Sequence, residues 1–543
     1  MDHTHKPSPL ADEAALTNED KASNTGDGSV DVKGNPASKH STGTECLEQL
    51  SFFGIQYNLV TFLTTKLHQR NAAAARNYTM WQGTCYVAPL AGAILADSFL
   101  GRYRTVVAFF SVYIIGMGTM TLSAASPAAI SRSIQPAVFS LGLYLMAIGS
   151  GCIKSCVGPF GADQFDGGDP VERPKKSSYF NWFYFAMYVG GLTSGTAMVW
   201  VQDNYGWLIG FGVPALCTVL AMASFLLGSR MYRYHKPRGS PVVRACQVVV
   251  AAVRKRNVVL PHDDFVLYDG PAEGRQKLKH TDQFRFLDKA AVAVGGEAAQ
   301  PWRLCTVTQV EEVKAIVRML PVWATGIVYC MVLVQQSLFL VQGRAMRRRL
   351  GSAFAIPPAS LNSIYAVAVL VLVPLYDRAV VPIARRLTGN ERGLSELQRI
   401  GAGLVLSVAA MAAAATVEGR RLAAAGEMSI AWQVPQYMLL GASAVFAYVG
   451  QLEFFYNQAP DSMRSLCSAL GHMTWSLGSY LSSIVVTIVS STTARGGSPG
   501  WIADEINDGH LDRFFWFVAG LSSINLVVFV CCAKRYKDNN ELH

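Results

Sequence analysis

Charge is scarce in this sequence. Only 15% of its 543 residues are charged, 51% are hydrophobic, and the mean hydropathy is positive. A chain built from ordinary soluble domains is excluded by that balance, which is the balance of a membrane protein. Also lacking are metal-site spacings: the 11 cysteines fall mostly within apolar runs, with no paired CxxC units and no Cys/His set at zinc spacing, so they read as buried thiols. No GxSxG, HExxH, P-loop or kinase signature occurs, and GSGCIK lies inside an apolar run where it cannot cradle a phosphate. An enzyme is therefore not expected, nor a metal, nor any cofactor beyond a coupling ion. The formal charge of +10 would suit a nucleic-acid binder, but no basic stripe interleaved with exposed aromatics is present. Residues 1–44, rich in Ser, Asp, Lys, Gly and His, hold no apolar core of a leader and read as a disordered tail.

What is present is a series of long apolar runs. A helix needs about 20 residues to cross a hydrocarbon layer of about 30 Å, and about twelve runs qualify. Six lie near 45–67, 78–97, 105–128, 135–160, 177–201 and 206–229, and six near 311–342, 354–376, 400–417, 428–456, 465–493 and 514–533. The expected organisation is a cytoplasmic tail (1–44), a six-helix bundle (45–229), a cytoplasmic linker with an amphipathic basic helix (230–305), a second six-helix bundle (306–535) and a short cytoplasmic tail (536–543). Both halves carry a charged turn after their second run, LADSFLGRYR at 95–104 and LYDRAVVPIARR at 375–386, which suggests duplication. Lys and Arg in the short loops balance across the membrane; Arg230, Arg233, Lys236, Arg238 and Arg244 tip the termini to the cytoplasmic side.

Charges inside spans are costly to desolvate, so each is a functional candidate. They are Glu45, Glu48, Lys154, Glu453 and the titratable His472. Glu45 and Glu48 stand one helical turn apart and share a face, and Lys154 is the cation placed to hold one of them ionised. Two carboxylates against one ammonium leave one acid unbalanced, a group suited to bind and release protons as water reaches it from alternate sides. The plainer alternative puts both glutamates at a helix N-terminus, where the dipole favours them. His472, beside Trp475, reads as a hydrogen-bonded structural histidine or a cavity-lining one. Asp97 with Arg102, and Asp377 with Arg385, read as charge pairs that latch helix ends during conformational change.

At these residues the chain resembles the plant nitrate-transporter-1/peptide-transporter family, a branch of the proton-dependent oligopeptide transporters in the major facilitator superfamily. The resemblance spans about 40–538 and rests on NLVTFLTTKLHQ, WQGTCYVAPLAGAILADSFLGRY, FGADQFD, FNWFYF, HTDQFRFLDKAA, WRLCTVTQVEEVK, QLEFFY and SPGWIADEINDGHLDRFFWF. It is nearest the subfamily that moves di- and tripeptides with protons. The resemblance implies an all-α membrane protein of twelve transmembrane helices in two bundles, and a cavity between them that opens alternately to each side. It also implies a monomer in the plasma or vacuolar membrane whose partners are protons, a small solute and lipid, not nucleic acid.

The departures bear on the substrate. Where the family has a cation after its paired glutamates this chain has Gln49; a tyrosine pair becomes Phe52 and Phe53; a fifth-span asparagine becomes Tyr188; and a tenth-span glutamate becomes Ala444. Candidate cavity residues are thus Gln49, Phe52, Phe53, Gln56, Tyr188, Gln335, Ala444, His472 and Trp475. Lys154 matches the family's fourth-span lysine and could receive a peptide carboxylate, but with alanine at 444 no acid across the cavity meets the ammonium. Three readings stay open: a proton-coupled peptide symporter, a carrier of another small solute such as an organic anion, and a non-transporting sensor. Nitrate is disfavoured because the seventh span has no histidine.

Overall fold

The computed structural model of the chain describes residues 46–536 apart from Arg70, 125–132, 166–171, Met231, 235–239, 259–266, 270–277, Lys279, 294–299, 351–353, 356–360, 390–392, 425–427, 461–462, 495–499 and 504–505. The expected tail 1–44, Glu45, and all of the expected C-terminal tail except Tyr536 lie outside the described residues.

With no water in the hydrocarbon layer, a backbone must satisfy its own hydrogen bonds, and a helix does so within one segment. Accordingly the regular elements among the described residues are helices, except for a two-residue ladder, Arg349–Leu350 against Phe354–Ala355, and two isolated bridges. Ten helices among them are long and apolar enough to cross a membrane: Met80–Leu100, Arg102–Ser123, Gln135–Ala162, Trp207–Arg230, Val307–Arg344, Asn362–Leu387, Glu396–Ala423, Ile430–Asn457, Arg464–Thr493 and Leu511–Arg535. These are the expected spans two to four, six, and seven to twelve. The expected first span is broken at Tyr57 and Asn58 into Cys46–Gln56 and Leu59–Thr65, each too short alone. The fifth is long enough, running Glu172–Thr193, Ser194–Met198 and Val199–Tyr205, but it begins ERPKKSS and is too polar by composition.

Local signals set the ends. Thr306 with Gln309 and Ser395 with Gln398 form reciprocal capping boxes that start spans seven and nine. Gly101 follows span two at φ 75°, a left-handed conformation that glycine adopts without strain. Spans three and four approach closely because Gly116 and Gly142 face each other; a Cβ on Gly116 would lie 2.5 Å from the Met146 nitrogen. The duplicated charged turns take the same form: Asp97 is the second residue of a π turn, Ala96–Leu100, and Asp377 the second residue of another, Tyr376–Val380.

Burial follows the two halves. One apolar core gathers spans one to four and six with Tyr232, and another gathers the second half together with one face of span five, including Phe180, Tyr184 and Tyr188. The linker has a third core, in which Val248, Ala251 and Ala252 of helix Pro241–Arg254 meet Leu287, Ala290 and Ala291 and the base of span seven at Val310 and Val313. The linker is thus fastened to the second half, which refines the expectation of a simple bridge. Two of its basic residues turn inward: Arg244 pairs with Glu312 at 3.3 Å, and the Lys255 ammonium donates to the Val292 carbonyl at 2.7 Å. Val242, Val249 and Val253 are left exposed on the helix.

Candidate functional site

Glu48 lies in the first turn of Cys46–Gln56, 4% exposed, and its Oε1 accepts a hydrogen bond from the Ser150 hydroxyl of span four at 3.1 Å. One turn beyond Ser150, the Lys154 ammonium sits 3.3 Å above the Phe52 ring and 5.0 Å from that of Tyr86, a cation–π arrangement. Phe52 is itself one turn beyond Glu48, so spans one and four bring acid, cation and ring into one cluster. The charge of Lys154 acts on Glu48 and reaches His472.

From Lys154 a row of rings crosses to the second half. Tyr86 lies 6.4 Å from Trp475, which lies 6.1 Å from Tyr448; Tyr448 lies 5.5 Å from Tyr184, which lies 4.9 Å from Tyr188. Tyr188 then donates a hydrogen bond to the Tyr365 hydroxyl at 2.9 Å. Sequence reasoning named Phe52, Tyr188 and Trp475 but missed Tyr86, Tyr184, Tyr365 and Tyr448, though Tyr86 and Tyr184 stand inside motifs quoted above. Tyr184 and Tyr448 each stand one helical turn from a named residue, Tyr188 and Ala444, which was their signal.

Other candidates fall beside this row or away from it. Gln49 is 2% exposed next to Glu48. Phe53 stacks on Tyr57 at 5.5 Å, and Gln56 donates to the Tyr78 hydroxyl at 3.3 Å. The His472 Nδ1 is 2.9 Å from the Ser468 carbonyl, the hydrogen-bonded arrangement its sequence context allowed. Like Gln49 and Phe52, two further candidates are buried rather than on an open wall. Gln335 is buried at the break within span seven and donates to Ser482 and to the Met331 carbonyl, both at 2.9 Å, so it ties span seven to span eleven. Ala444 is 0% exposed, packed in the second core.

Charged residues close the side on which the linker lies. Arg102 contacts Asp97 at 3.6 Å and bonds closely to Asp163, while its Nε donates to Ser465 at 2.8 Å. Asp163 also accepts from Arg464 at 3.0 Å and from Tyr456 at 2.6 Å, and Asp97 accepts from the Leu466 amide at 3.1 Å. The expected pair of Asp97 with Arg102 is therefore present, as part of a larger network joining the halves. The expected pair of Asp377 with Arg385 is not. Eight helical residues separate them by about 12 Å; Arg385 is exposed, and Asp377 accepts from Ser178 (2.8 Å), Asn181 (3.2 Å) and Trp182 (3.3 Å) of span five. Glu453, noted as an intramembrane acid, pairs with Arg399 at 3.1 Å.

In the linker, His280, Asp288 and Glu311 offer atoms within 4.8 Å of one another, a spacing that suits a cation. The Lys314 ammonium supplies that cation: it lies 2.6 Å from Asp288 and 2.8 Å from Glu311, and donates to the Thr281 carbonyl at 2.7 Å.

The chain matches the family model described as "PTR2: POT family" over residues 103–502. It is 49% identical to protein NRT1/PTR FAMILY 8.3 of Arabidopsis thaliana, with 97% of each chain covered. It is 48% identical to NRT1/PTR FAMILY 8.5 of the same plant, covering 94% of this chain and 93% of that one. Among solved structures it is similar in fold to an auto-inhibited POT family peptide transporter, with a TM-score of 0.59, 23% identity, and 91% and 95% of the two chains covered. The POT family transporter PepTSo gives a TM-score of 0.61 at 22% identity, with 90% and 96% covered. The likeness gives the major facilitator fold, and these proteins are transporters, not enzymes. With a family model matched over most of its length and relatives at nearly half identity, the chain belongs to the POT family of proton-dependent membrane transporters.

Proposed function

We propose that this chain is a proton-coupled symporter of small carboxylate-bearing solutes, with di- and tripeptides the first candidates, and that it works by alternating access. The observation that carries the reading is the cluster of Glu48, Ser150, Lys154 and Phe52 at one end of an aromatic row that reaches the other half. A buried carboxylate bonded to a single neutral hydroxyl and lying near an ammonium is a group suited to take up and release a proton as water reaches it. Glu45, one turn earlier in sequence, is the second candidate of the proton-binding pair. Lys154 is the anchor for a solute carboxylate, the aromatic rings take its body, and the networks around Asp163 and Asp377 hold the linker side shut while the solute enters from the opposite side.

A second reading, transport of a different organic anion, is favoured by Ala444. Among the described residues, the acid of the tenth span is Glu453, and it is committed to Arg399. A peptide ammonium then meets phenol hydroxyls and carbonyls rather than a carboxylate, whereas an anion lacking an ammonium loses nothing.

The test is uptake of a labelled dipeptide into liposomes holding the purified protein, with and without an inward proton gradient. Accumulation only with the gradient supports the peptide reading. No accumulation of dipeptide, with accumulation of a labelled aromatic carboxylate, moves the assignment to the second reading. Movement of no solute leaves the sensor reading standing.

A further inference from the structure

Arg399 sits one turn inside span nine, 2% exposed, and reaches three other spans. Its Nη1 donates to Glu453 at 3.1 Å; its Nη2 donates to the Val445 carbonyl at 2.8 Å and to Asn181 Oδ1 of the first half at 2.7 Å. The guanidinium lies 4.3 Å over the Tyr376 ring, and its buried Nε–H has no acceptor. Two of these contacts join regions with different roles. Asn181 belongs to the closed linker side, where its amide nitrogen donates to Asp377. Val445 belongs to the π turn Ala444–Tyr448, which ends on the tyrosine facing Tyr184 and Trp475 in the aromatic row. A π turn displaces carbonyls from the regular ladder, and such a carbonyl takes an outside donor readily.

We propose that Arg399 is a positioning residue that couples closure of the linker side to the shape of the solute-binding wall. While the halves are joined, Asn181 and Glu453 fix the guanidinium, and the guanidinium fixes the Val445 carbonyl and with it the π turn and Tyr448. When the linker side opens, Asn181 departs and Asp377 loses Ser178, Asn181 and Trp182 together. A carboxylate stripped of donors attracts a guanidinium within reach; Arg378 beside it already lies over Trp182, and Arg399, which lies on the neighbouring Tyr376 with an unused N–H, turns to it. That turn withdraws the bond from Val445 and loosens the wall at Tyr448, so the solute is held more weakly on the side where it leaves. The inference rests on the transport reading above for its meaning, but not for its test.

The test is hydrogen–deuterium exchange of the segment 444–457 in the purified full-length protein, with dipeptide KM in liposomes as a second readout. Spin labels at Arg104→Cys and Leu387→Cys, with exposed Cys246 and Cys531 replaced by serine, report opening of the linker side. Asn181→Ala is expected to open that side and to raise exchange in 444–448 about tenfold. Adding Asp377→Asn, which removes the charge that draws the guanidinium away, is expected to return exchange to within about twofold of the unmodified protein while the side stays open. Arg399→Lys keeps a charge against Glu453 but cannot hold Val445 and Asn181 at once, so it is expected to raise exchange in 444–448 even where the labels report a shut linker side. Exchange at 444–448 unchanged in both single variants would overturn the proposal, as would a double variant identical to Asn181→Ala. If the exchange pattern holds while no dipeptide is transported, Arg399 keeps its positioning role and the peptide reading fails.

Discussion

The Glu48 cluster and the guanidinium networks treat buried charge in opposite ways. In the first span Glu48 accepts from one serine hydroxyl and the nearby cation lies over a phenyl ring, whereas Asp97 and Asp163 of the same half are locked by Arg102 and Arg464. In the second half the acids are locked. Glu418 receives both Nε and Nη2 of Arg421 at 2.9 and 2.8 Å, with Asn507 accepting from Nη1 at 2.7 Å, and Glu453 is held by Arg399. A carboxylate held by two guanidinium hydrogen bonds is fixed to its partner, whereas one bonded to a single neutral hydroxyl is less tightly fixed. The difference fits the proposal above, with proton chemistry at the Glu48 cluster and conformational fastening at the guanidinium-locked acids.

That contrast predicts which substitutions harm folding and which harm transport. Glu418→Ala leaves the Arg421 guanidinium buried and unpaired, and about 3–5 kcal/mol of stability is expected to be lost, seen as a large fall in the thermal unfolding midpoint of purified protein. Glu48→Gln keeps the shape and the serine contact, so the midpoint is expected to move little while gradient-driven accumulation disappears. A Glu48→Gln protein that still accumulates dipeptide against its gradient would remove the functional side of the contrast. Next in size is Lys154→Ala. Loss of the charged anchor for a desolvated carboxylate is expected to cut dipeptide uptake about 100-fold, with Lys154→Arg retaining more than the alanine. An equal loss of uptake and of thermal stability would instead make Lys154 a structural residue.

How far the sequence foretold this can be judged from the charges. Asp97 and Arg102 are five residues apart, on either side of a glycine, so their pairing was legible; the partners that turn the pair into a latch, Asp163, Ser465 and Leu466, come from distant parts of the chain and were not. The pairing of Asp377 with Arg385 failed because eight helical residues set them about 12 Å apart along the axis, and because the donors to Asp377 lie on span five. The ten apolar spans follow from composition, but the break at Tyr57 and the polar start of span five blurred two of the twelve. Lys154 over Phe52 was half legible: the lysine was a rare intramembrane charge, while the ring beneath it was read only as a missing hydroxyl. Arg399 gave no signal, since a basic residue one turn inside a capped helix usually reaches water.

Ala444 sharpens the comparison further. It is 0% exposed, so restoring an acid there by Ala444→Glu places a larger, ionisable group in a closed core, and about 1–3 kcal/mol of destabilisation is expected. A dipeptide KM that falls despite that loss would mean the wall opens at 444 during the cycle and that an ammonium partner was the missing element. An unchanged or higher KM would favour the organic-anion reading.

The smallest expected effect comes from Tyr188→Phe, which deletes a hydroxyl joining the halves within the aromatic row. Its bonds to Tyr365 and Tyr184 are neutral and worth about 1 kcal/mol each, so KM should move less than about 30-fold, with proton coupling intact. The rings keep their tilted contact, with Tyr184 4.9 Å away. A shift of about 100-fold would exceed what two neutral bonds between side chains supply, and would require that the Tyr188 hydroxyl touch the solute itself. The centre of binding would then move from Lys154 in the first half to the tyrosines between the halves, and the division of labour between proton site and fastening site would need a third region that serves the solute alone.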